Sequence, residues 1–443
     1  MIYIRFAGDM KMGAQQNENL VRNQITAQTI KIIHFSWEFP PTIWGGLGTF
    51  ATELLQKQVS LGNDVTVFTL NKDNSNPPSE KWKGVDVYRP KLIDLSSSFT
   101  LFANQDVRSW GSHFKFFADV ISYNISSASQ LVNTIVKTNE KSFDIIDGHD
   151  WLGIIGGMIA KKELNLPLIF HIHSTENGRS LGGGSQTIKN IEYEGGQTAD
   201  GIITVSHAMK NELHQLGFPA EKIQVCWNGV DPQKYDPNRI SSQAVSILRA
   251  TYGIRPDETM LFFVGRLVAV KGIDKLVQAM PHVLKIFPKT KLVILGVGDM
   301  EADIRRMVED LGLQTKIILR NEFVSEEERI LHYAASDVVV LPSLYEPFGI
   351  VCTEAMSMSK PVVVGARGIN GMREQVIPSG ADQCGRHINP YDPIDIAWGI
   401  KQLLESKEQR IQMGYHAREQ VIEKFNWDTI AERTSEIYTK FIR

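Results

Sequence analysis

The sequence predicts an α/β protein built from two doubly wound domains, each a mostly parallel sheet with helices on both faces. Its 443 residues exceed what a single hydrophobic core usually supports. A strand, a glycine-containing loop and a helix pattern begin at residue 32, and the same plan begins again at residue 260. Because strands that alternate with helices form parallel sheets, these two starts predict two domains of one architecture.

The first half opens with a polar, aperiodic extension, residues 1–29. Residues 32–35 then form a short apolar strand, residues 49–61 carry helical spacing, and residues 65–68 form the next strand. Such a strand–helix–strand unit starts a parallel sheet. The aromatic-rich segment 99–133 predicts further helices of this domain.

The second half repeats this order. Residues 260–264 and 291–295 read as strands on either side of a helix at 273–286. Further on, the β-branched run 338–342 predicts a buried strand, and residues 350–357 predict the helix that follows it.

The boundary between the two halves is predicted at residues 231–237, where two prolines and several polar residues follow a strand-like run. Linkers between domains commonly have this composition. We therefore expect a first domain over residues 30–233, a second over 234–425 and a last helix over 426–443.

Charge and cysteine content exclude several classes of function. A net charge of −3 gives no overall attraction to nucleic acid or to anionic lipid, so any anion site must be local. The three cysteines lack C-x-x-C spacing, which argues against a disulfide framework or a zinc site and predicts a cytoplasmic protein. There is no run of 18 apolar residues, so no transmembrane helix is expected.

Two carboxylates, Glu346 and Glu354, lie eight residues apart across a predicted strand-to-helix turn at Gly349. If both were helical, they would be roughly 12 Å apart along the axis. That separation exceeds the roughly 5–9.5 Å of the carboxyl pair in a glycoside hydrolase. The two acids could hold the two ends of an extended ligand, or they could be a loop acid and a solvated helix acid.

Arg266 and Lys271 lie in the loop that follows the predicted strand 260–264. Open α/β sheets bind ligands at the carboxyl ends of their strands. The guanidinium fork and the mobile ammonium of such a pair suit a diphosphate. The alternative is two solvated surface cations.

Gly45 and Gly46 open a predicted helix after the first strand, where glycine allows close approach of the backbone to a phosphate or a sugar. Tight turns use the same residues.

His149 follows another predicted strand and could be an acid/base, a metal ligand, a sugar contact or a structural histidine. Asp147, His149 and Asp150 are suitable metal ligands by type, but their close spacing predicts poor convergence.

Four further polar residues are candidates for lining a binding cleft. Alternation along a strand puts His171 and His173 on one face, where they either shape an acceptor pocket or are hydrogen-bonded core histidines. Ser206 and Asn228 lie at the ends of other predicted strands.

Arg266, Lys271, Glu346 and Glu354, in this order, strongly resemble the donor-binding signature of retaining, family 4 glycosyltransferases that use nucleotide sugars. The resemblance extends from about residue 32 to residue 443. It implies the GT-B fold, in which two Rossmann-like domains face a central cleft and the C-terminal helix crosses back onto the first domain.

The resemblance also implies roles for individual residues. Glu346 would lie by the hydroxyls of the transferred sugar, Glu354 would bind the ribose, and Arg266 with Lys271 would bind the diphosphate. His149 would approach the donor sugar, so the expected catalytic residues are His149, Arg266, Lys271 and Glu346. The full set expected around the donor is Gly45, Gly46, Arg266, Lys271, Val324, Glu346, Phe348, Gly349, Ile350 and Glu354. Acceptor-side candidates are His171, His173, Ser206 and Asn228.

Within this family, the segments Glu-Pro-Phe-Gly and His-Asp-Trp look most like those of glycogen synthase and maltose-1-phosphate synthase. The expected reaction is glucose transfer from ADP- or UDP-glucose to an α-glucan, with no bound cofactor and no metal in the chemical step. Maltose-1-phosphate synthesis, sucrose-type synthesis and mannosyl transfer are alternatives, as are a phosphorylase-like enzyme and a non-catalytic nucleotide-sugar sensor. One departure is Ile43, where bacterial glycogen synthases usually have Lys. A homo-oligomer stays an open alternative, and no nucleic-acid partner is expected.

Overall fold

The computed structural model describes residues 29–101, 103–138 and 141–442. All but the last residue of the predicted extension 1–29 therefore lie outside the described residues. The strands that are described assemble into two sheets. Among the described helices, none is both long and apolar enough to cross a membrane.

The first sheet has eight strands. They are β1 (Lys31–Phe35), β2 (Asp64–Phe68), β3 (Ser79–Trp82), β4 (Val85–Tyr88), β5 (Ile145–His149), β6 (Leu168–Ile172), β7 (Gly201–Thr204) and β8 (Ile223–Val225). Their order is β3-β4-β2-β1-β5-β6-β7-β8. The pair β3–β4 is antiparallel, whereas β1 pairs in parallel with both β2 and β5. The chain thus changes winding direction between β1 and β5, which is where doubly wound sheets bind ligands.

The second sheet has six strands. They are β9 (Thr259–Val264), β10 (Thr290–Leu295), β11 (Ile317–Arg320), β12 (Val338–Leu341), β13 (Val362–Gly365) and β14 (Gly385–Ile388). Their order is β11-β10-β9-β12-β13-β14, and the winding direction changes between the parallel neighbours β9 and β12.

Helices connect most of these strands. They are α1 (Gly46–Ser60), α2 (Ser96–Phe99), α3 (Gln105–Arg108), α4 (Phe114–Gln130), α5 (Asp150–Leu164), α6 (Glu176–Arg179), α7 (Gln186–Thr198), α8 (His207–Gln215), α9 (Ser242–Thr251), α10 (Ile273–Leu284), α11 (Glu301–Asp310), α12 (Glu326–Ala335), α13 (Ile350–Ser357), α14 (Met372–Gln375), α15 (Pro393–Leu404), α16 (Lys407–Lys424) and α17 (Trp427–Thr439). A π-helix, Leu131–Val136, continues α4. Short 3₁₀ turns are Lys72–Asn74, Gly111–His113, Ala220–Lys222, Pro237–Arg239 and Ala269–Lys271.

The second sheet is buried on both faces, as its continuous apolar strands predict. In β9, Phe262 and Val264 belong to one hydrophobic cluster, while Leu261 and Phe263 belong to another. Successive strand side chains point to opposite faces. The two clusters are therefore the cores between this sheet and its two layers of helices, and they hold β9 and the loop after it in place.

The chain divides into two compact units. The first unit comprises the residues up to His171, Glu194–Ile202 and the residues from Ala431 onward. The second unit comprises Ile172–Tyr193 and Ile203–Ile430. Within the first unit, the end of α17 contacts residues far away in sequence: Ser435 lies 3.4 Å from Asn63, and the Tyr438 hydroxyl donates to Asp147. The predicted domain boundaries at residues 30, 234 and 426 stay predictions.

Candidate active site

Two loops of the second unit meet where the winding direction of its sheet changes. The loop after β9 carries Arg266 and ends at Gly272, and the loop after β12 carries Glu346. The backbone N–H of Leu344 donates to the Val270 carbonyl at 2.8 Å, which fastens one loop to the other. Three of the residues predicted to bind the donor therefore lie on two adjoining loops.

Lys271 and Glu346 contact each other directly. The Lys271 ammonium forms an ion pair with Oε2 of Glu346, and the Ser343 hydroxyl lies 3.3 Å from the same oxygen. The side chains are 19% and 11% exposed, so both reach solvent only in part. Arg266 differs: its side chain is exposed and makes no hydrogen bond or ion pair with any described residue.

Gly349 permits the turn between β12 and α13. Its φ of +90° is a left-handed conformation that favours glycine, and it caps α13 at Ile350. A Cβ on Gly349 would lie 2.7 Å from Cγ of Met372 and 3.2 Å from Cγ of Glu346. The first backbone N–H groups of a helix lack intrahelical acceptors and favour an anion. The turn thus places Glu346 beside a helix N-terminus.

Two other residues predicted around the donor have structural roles in this turn and its surroundings. Phe348 is only 2% exposed, and its carbonyl accepts from Gln375 at 2.6 Å. Val324 is half-buried against the hydrophobic core, immediately before Ser325, which caps α12.

Glu354 is buried in a network that sequence reasoning missed. Its carboxylate accepts from the hydroxyls of Tyr235 at 2.8 Å and Tyr333 at 2.7 Å, and it pairs with Arg329 at 3.1 Å. Burial and then the Glu354 carboxylate raise the pKa of Tyr235 well above its usual range. A carboxylate can accept about four hydrogen bonds, so these three contacts leave room for about one more. Tyr235 lies in the segment predicted to be a linker. The sequence feature that could have indicated its burial is an aromatic residue between two prolines.

His149 lies in a fully buried cluster of the first unit. Its Nε2 is 3.0 Å from Nδ1 of His34, and its ring stacks on that of His171 with centroids 5.1 Å apart. Nδ1 of His171 lies 3.3 Å from Oδ2 of Asp147. Burial lowers the pKa of His149 to about 3, against the opposing effect of Asp147. A direct contact between this side chain and a sugar requires the side chain to become exposed.

The glycine loop of the first unit is held by an acidic side chain that sequence reasoning also missed. Oε2 of Glu38 accepts from the backbone N–H groups of Trp44 at 2.8 Å and Gly45 at 3.0 Å. Gly45 caps α1, which begins at Gly46, three residues before its predicted start. The N–H of Gly45 is therefore already paired with a carboxylate.

The four acceptor-side candidates have different structural roles. Strand β6 ends at Ile172, so His171 belongs to it while the half-buried His173 follows it, which corrects the prediction that both lie in one strand. Ser206 caps α8 by accepting from the N–H of Met209 at 3.0 Å. Asn228 is buried, with 6% exposure.

Near Ser206, sequence reasoning missed Glu374. Its carboxylate accepts from the backbone N–H groups of His207 at 3.0 Å and Ala208 at 2.8 Å, and from Nε1 of Trp227 at 3.1 Å. The helix N-terminus of α8 is thereby paired with an acidic side chain, as its dipole favours.

The chain matches two family models, one for each half. Residues 44–234 match the model described as Glycosyltransferase Family 4. Residues 245–420 match the model described as Glycosyl transferases group 1.

Two curated relatives align with almost the whole chain. An uncharacterized glycosyltransferase of Methanocaldococcus jannaschii is 33% identical over 413 residues, covering 92% of this chain and 98% of the relative. A glycogen synthase of Mycobacterium tuberculosis is 26% identical over 426 residues, covering 92% and 94%.

Two solved structures share the fold. Sucrose-phosphate synthase from Thermosynechococcus elongatus has a TM-score of 0.74 at 23% identity, covering 93% of this chain and 98% of that one. The catalytic domain of Starch Synthase IV from Arabidopsis thaliana, bound to ADP and acarbose, has a TM-score of 0.72 at 17% identity, covering 93% and 99%. The predicted GT-B fold is confirmed, and the chain belongs to the family 4 glycosyltransferases.

Proposed function

We propose that this enzyme transfers glucose, with retention of configuration, from ADP- or UDP-glucose to an α-glucan. The observation that carries the proposal is the contact of Lys271 with Glu346 beside the N-terminus of α13. It puts a cation, an acid and helix N–H groups together at the carboxyl ends of two neighbouring strands. The similarity to a glycogen synthase along 92% of the chain supports the choice of glucose and of a glucan.

The leaving diphosphate is stabilised by positive charge. Arg266 is exposed and has no partner among the described residues, so its guanidinium is available to phosphate oxygens. Lys271 would exchange Glu346 for the diphosphate, and the helix N-terminus at Ile350 adds N–H donors. Charge stabilisation of this kind commonly supplies the largest part of the rate enhancement.

Glu346 binds the transferred sugar in this proposal. Once Lys271 pairs with the diphosphate, the Glu346 carboxylate can accept hydrogen bonds from sugar hydroxyls. The departing diphosphate takes the proton of the acceptor hydroxyl on the same face, which retains configuration without a covalent sugar–enzyme intermediate. No residue is assigned as a nucleophile.

Glu354 binds the ribose through its remaining acceptor capacity, held in orientation by Tyr235, Tyr333 and Arg329. Val324 is proposed near the base. Phe348, Gly349 and Ile350 are proposed to shape the turn that surrounds the donor.

The remaining proposed contacts involve residues outside the two loops of the second sheet. Gly45 and Gly46 would face the donor phosphates, and His149 would approach the donor sugar. His171, His173, Ser206 and Asn228 stay acceptor-side candidates; the buried positions of His171 and Ser206 favour supporting roles over direct contact.

A panel of nucleotide sugars tests the proposal. The purified enzyme is incubated with ADP-, UDP- and GDP-sugars, with and without glycogen, and both released nucleotide and elongated glucan are measured. Nucleotide release that requires glycogen, with growth of the glucan, is the expected result. Release that requires a sugar phosphate would favour sucrose-type transfer, which the shared fold with sucrose-phosphate synthase makes the second candidate. Binding of the donor without release of the nucleotide in the presence of any acceptor would favour a nucleotide-sugar sensor.

A further inference from the structure

Tyr345 immediately precedes Glu346 and belongs to a buried network that the proposed transfer reaction does not use. Its hydroxyl accepts from the backbone N–H of Thr175 at 3.3 Å and donates to Oε2 of Glu212 at 3.2 Å. The other carboxylate oxygen of Glu212, Oε1, accepts from the Thr175 hydroxyl at 2.9 Å. All three residues are buried, so they form a closed ring of hydrogen bonds away from solvent.

The members of this ring belong to the second compact unit but come from distant parts of the chain. Thr175 caps α6, Glu212 lies in α8, and Tyr345 follows β12. Sequence reasoning did not single out Tyr345, because Thr175 and Glu212 lie 170 and 133 residues away from it. The loop that carries Glu346 is therefore attached to two helices that hydrophobic periodicity does not place beside it.

The aromatic ring of Tyr345 fits closely against α6 at Gly178. A Cβ added to Gly178 would lie 2.0 Å from Cζ of Tyr345 and 2.4 Å from its hydroxyl oxygen. Favourable contacts between carbon atoms are roughly 3.5–4.0 Å long. Any side chain at position 178 would therefore displace the tyrosine.

The hydroxyl of Tyr345 is a permanent hydrogen-bond donor. Burial, and then the Glu212 carboxylate, hold the pKa of Tyr345 well above its usual range, so the hydroxyl keeps its proton at neutral pH. A phenylalanine would fill nearly the same space without burying polar groups, which is unfavourable unless they are paired. A satisfied buried polar network fixes one arrangement of its members. The hydrogen bonds therefore set the orientation of Tyr345 and do more than fill space.

The orientation of Tyr345 affects Glu346, because the backbone of Glu346 is held from another side. The N–H of Glu346 donates to the Ile369 carbonyl at 3.1 Å, and its own carbonyl accepts from Gly371 at 2.7 Å. Its side chain pairs with Lys271. A rotation at Tyr345 would therefore change the direction in which the Glu346 carboxylate points.

We propose that Tyr345 is a positioning residue for Glu346. Its ring of hydrogen bonds fixes the angle at which the Glu346 carboxylate meets the transferred sugar. The inference rests on the proposed function, in which Glu346 binds that sugar. Because Tyr345 acts only through Glu346, loss of the network should lower kcat and leave the affinity for free nucleoside diphosphate unchanged.

Kinetics of Tyr345→Phe and Glu346→Gln, alone and combined, test this inference. The assay measures the nucleotide released from UDP-glucose or ADP-glucose in the presence of glycogen. Tyr345→Phe should lower kcat by about 10–100-fold, because a misplacement of about 1 Å can reduce a rate by about 10²-fold. In the Glu346→Gln background the same substitution should cause no further loss. A wild-type kcat in Tyr345→Phe, or equal losses in both backgrounds, would overturn the inference.

Failure of the proposed function gives a different result. Full transfer by Glu346→Gln would show that this carboxylate does not act on the sugar, and both proposals would then fail. If the wild type releases no nucleotide in this assay, the coupling between Lys271→Met and Glu346→Gln decides, measured by denaturant unfolding. That coupling should decrease when Tyr345→Phe is added, since Glu346 is then no longer held toward Lys271. An unchanged coupling would overturn the inference.

Gly178→Ala displaces Tyr345 without altering its chemistry, so it should reproduce the loss of kcat. The matched control is Gly183→Ala in the loop after α6, where the added Cβ would lie no closer than 3.3 Å to a residue other than its chain neighbours. This control should keep the wild-type kcat. Calorimetry with free UDP or ADP should give wild-type affinity in Tyr345→Phe, and a loss of affinity as large as the loss of kcat would overturn the inference. If Gly178→Ala does not fold, Tyr345→Phe decides.

Discussion

At the scale of single residues, the candidate donor site is defined by which charges already have partners. Lys271 and Glu346 neutralise each other, Glu354 is surrounded by two hydroxyls and a guanidinium, and Arg266 is exposed and unpaired among the described residues. Substitutions at these positions should therefore separate into those that alter stability and those that alter only catalysis.

Arg266→Ala should lower kcat by about 10²–10³-fold, because a charge contact to the leaving group is lost. Its thermal stability should stay within about 0.5 kcal/mol of wild type, since the side chain is exposed and makes no contact that the fold needs. Steady-state kinetics and a thermal melt on the same preparation check both parts. The exposed Arg305, which lies on α11 and carries no proposed role, provides the control substitution Arg305→Ala. Near wild-type turnover in Arg266→Ala would remove that residue from the mechanism.

Lys271→Met and Glu346→Gln should couple, because each removes the partner of the other. Neighbouring groups of this kind show interaction energies of about 0.5–3 kcal/mol in a double-mutant cycle. Denaturant unfolding of the wild type, the two single variants and the double variant measures this coupling. Strictly additive changes in the free energy of unfolding would contradict the ion pair.

Glu354→Ala should weaken the binding of the free nucleoside diphosphate, whereas Glu346→Ala should leave it nearly unchanged and depress transfer. A lost hydrogen bond to a charged group is worth about 1.5–3 kcal/mol. Calorimetry with the diphosphate and with the nucleotide sugar resolves a difference of that size. Tyr333→Phe is a control that removes one hydroxyl from Glu354 and keeps the carboxylate. Equal losses of diphosphate affinity in both glutamate variants would show that the two acids do not hold opposite ends of the donor.

At the scale of secondary structure, the elements that could be predicted from the sequence are those determined by residues close together in the chain. The helix at 350–357 has the predicted bounds because Gly349 ends the turn locally. The burial of Tyr235 could not be predicted, since its partner Glu354 lies 119 residues away. The cluster of His34, Asp147, His149 and His171 depends on the register of three strands, which periodicity does not specify.

Gly349→Ala should destabilise the turn before α13. The left-handed φ of +90° is unfavourable for alanine by about 1–2 kcal/mol, and the new Cβ would press on Met372 at 2.7 Å. Gly380→Ala is the matched control, because its φ is +96° but nothing lies within 4 Å of the added Cβ. Denaturant unfolding should therefore show a larger loss of stability at Gly349 than at Gly380. Equal losses would mean that Met372 moves aside without penalty.

At the scale of the whole molecule, all three cysteines are buried, and none forms a disulfide. Burial raises the pKa of the Cys384 thiol to about 11 and holds that of Cys352 well above its usual range. The reactive thiolate of these two residues is therefore scarce at neutral pH, and burial means that a reagent reaches the thiols only when the protein opens.

In the native protein at pH 8, an aromatic disulfide reagent should label these thiols only as fast as the chain unfolds. The same reagent in denaturant should label three thiols at once. Absorbance of the released dye follows both reactions, and the slow rate should increase with mild denaturant. Immediate labelling of the native protein would show that at least one cysteine is accessible without unfolding.

The pairing of Lys271 with Glu346 has a consequence for turnover. A lysine ammonium that binds a diphosphate must first leave its carboxylate, so the ion pair competes with the nucleotide. In the proposed reaction, the sugar would have left Glu346 after transfer, and only the diphosphate would still separate the two charges. Re-formation of the ion pair would then favour dissociation of the spent nucleotide. The contact that holds the two loops together would thus also limit inhibition of the enzyme by its own product.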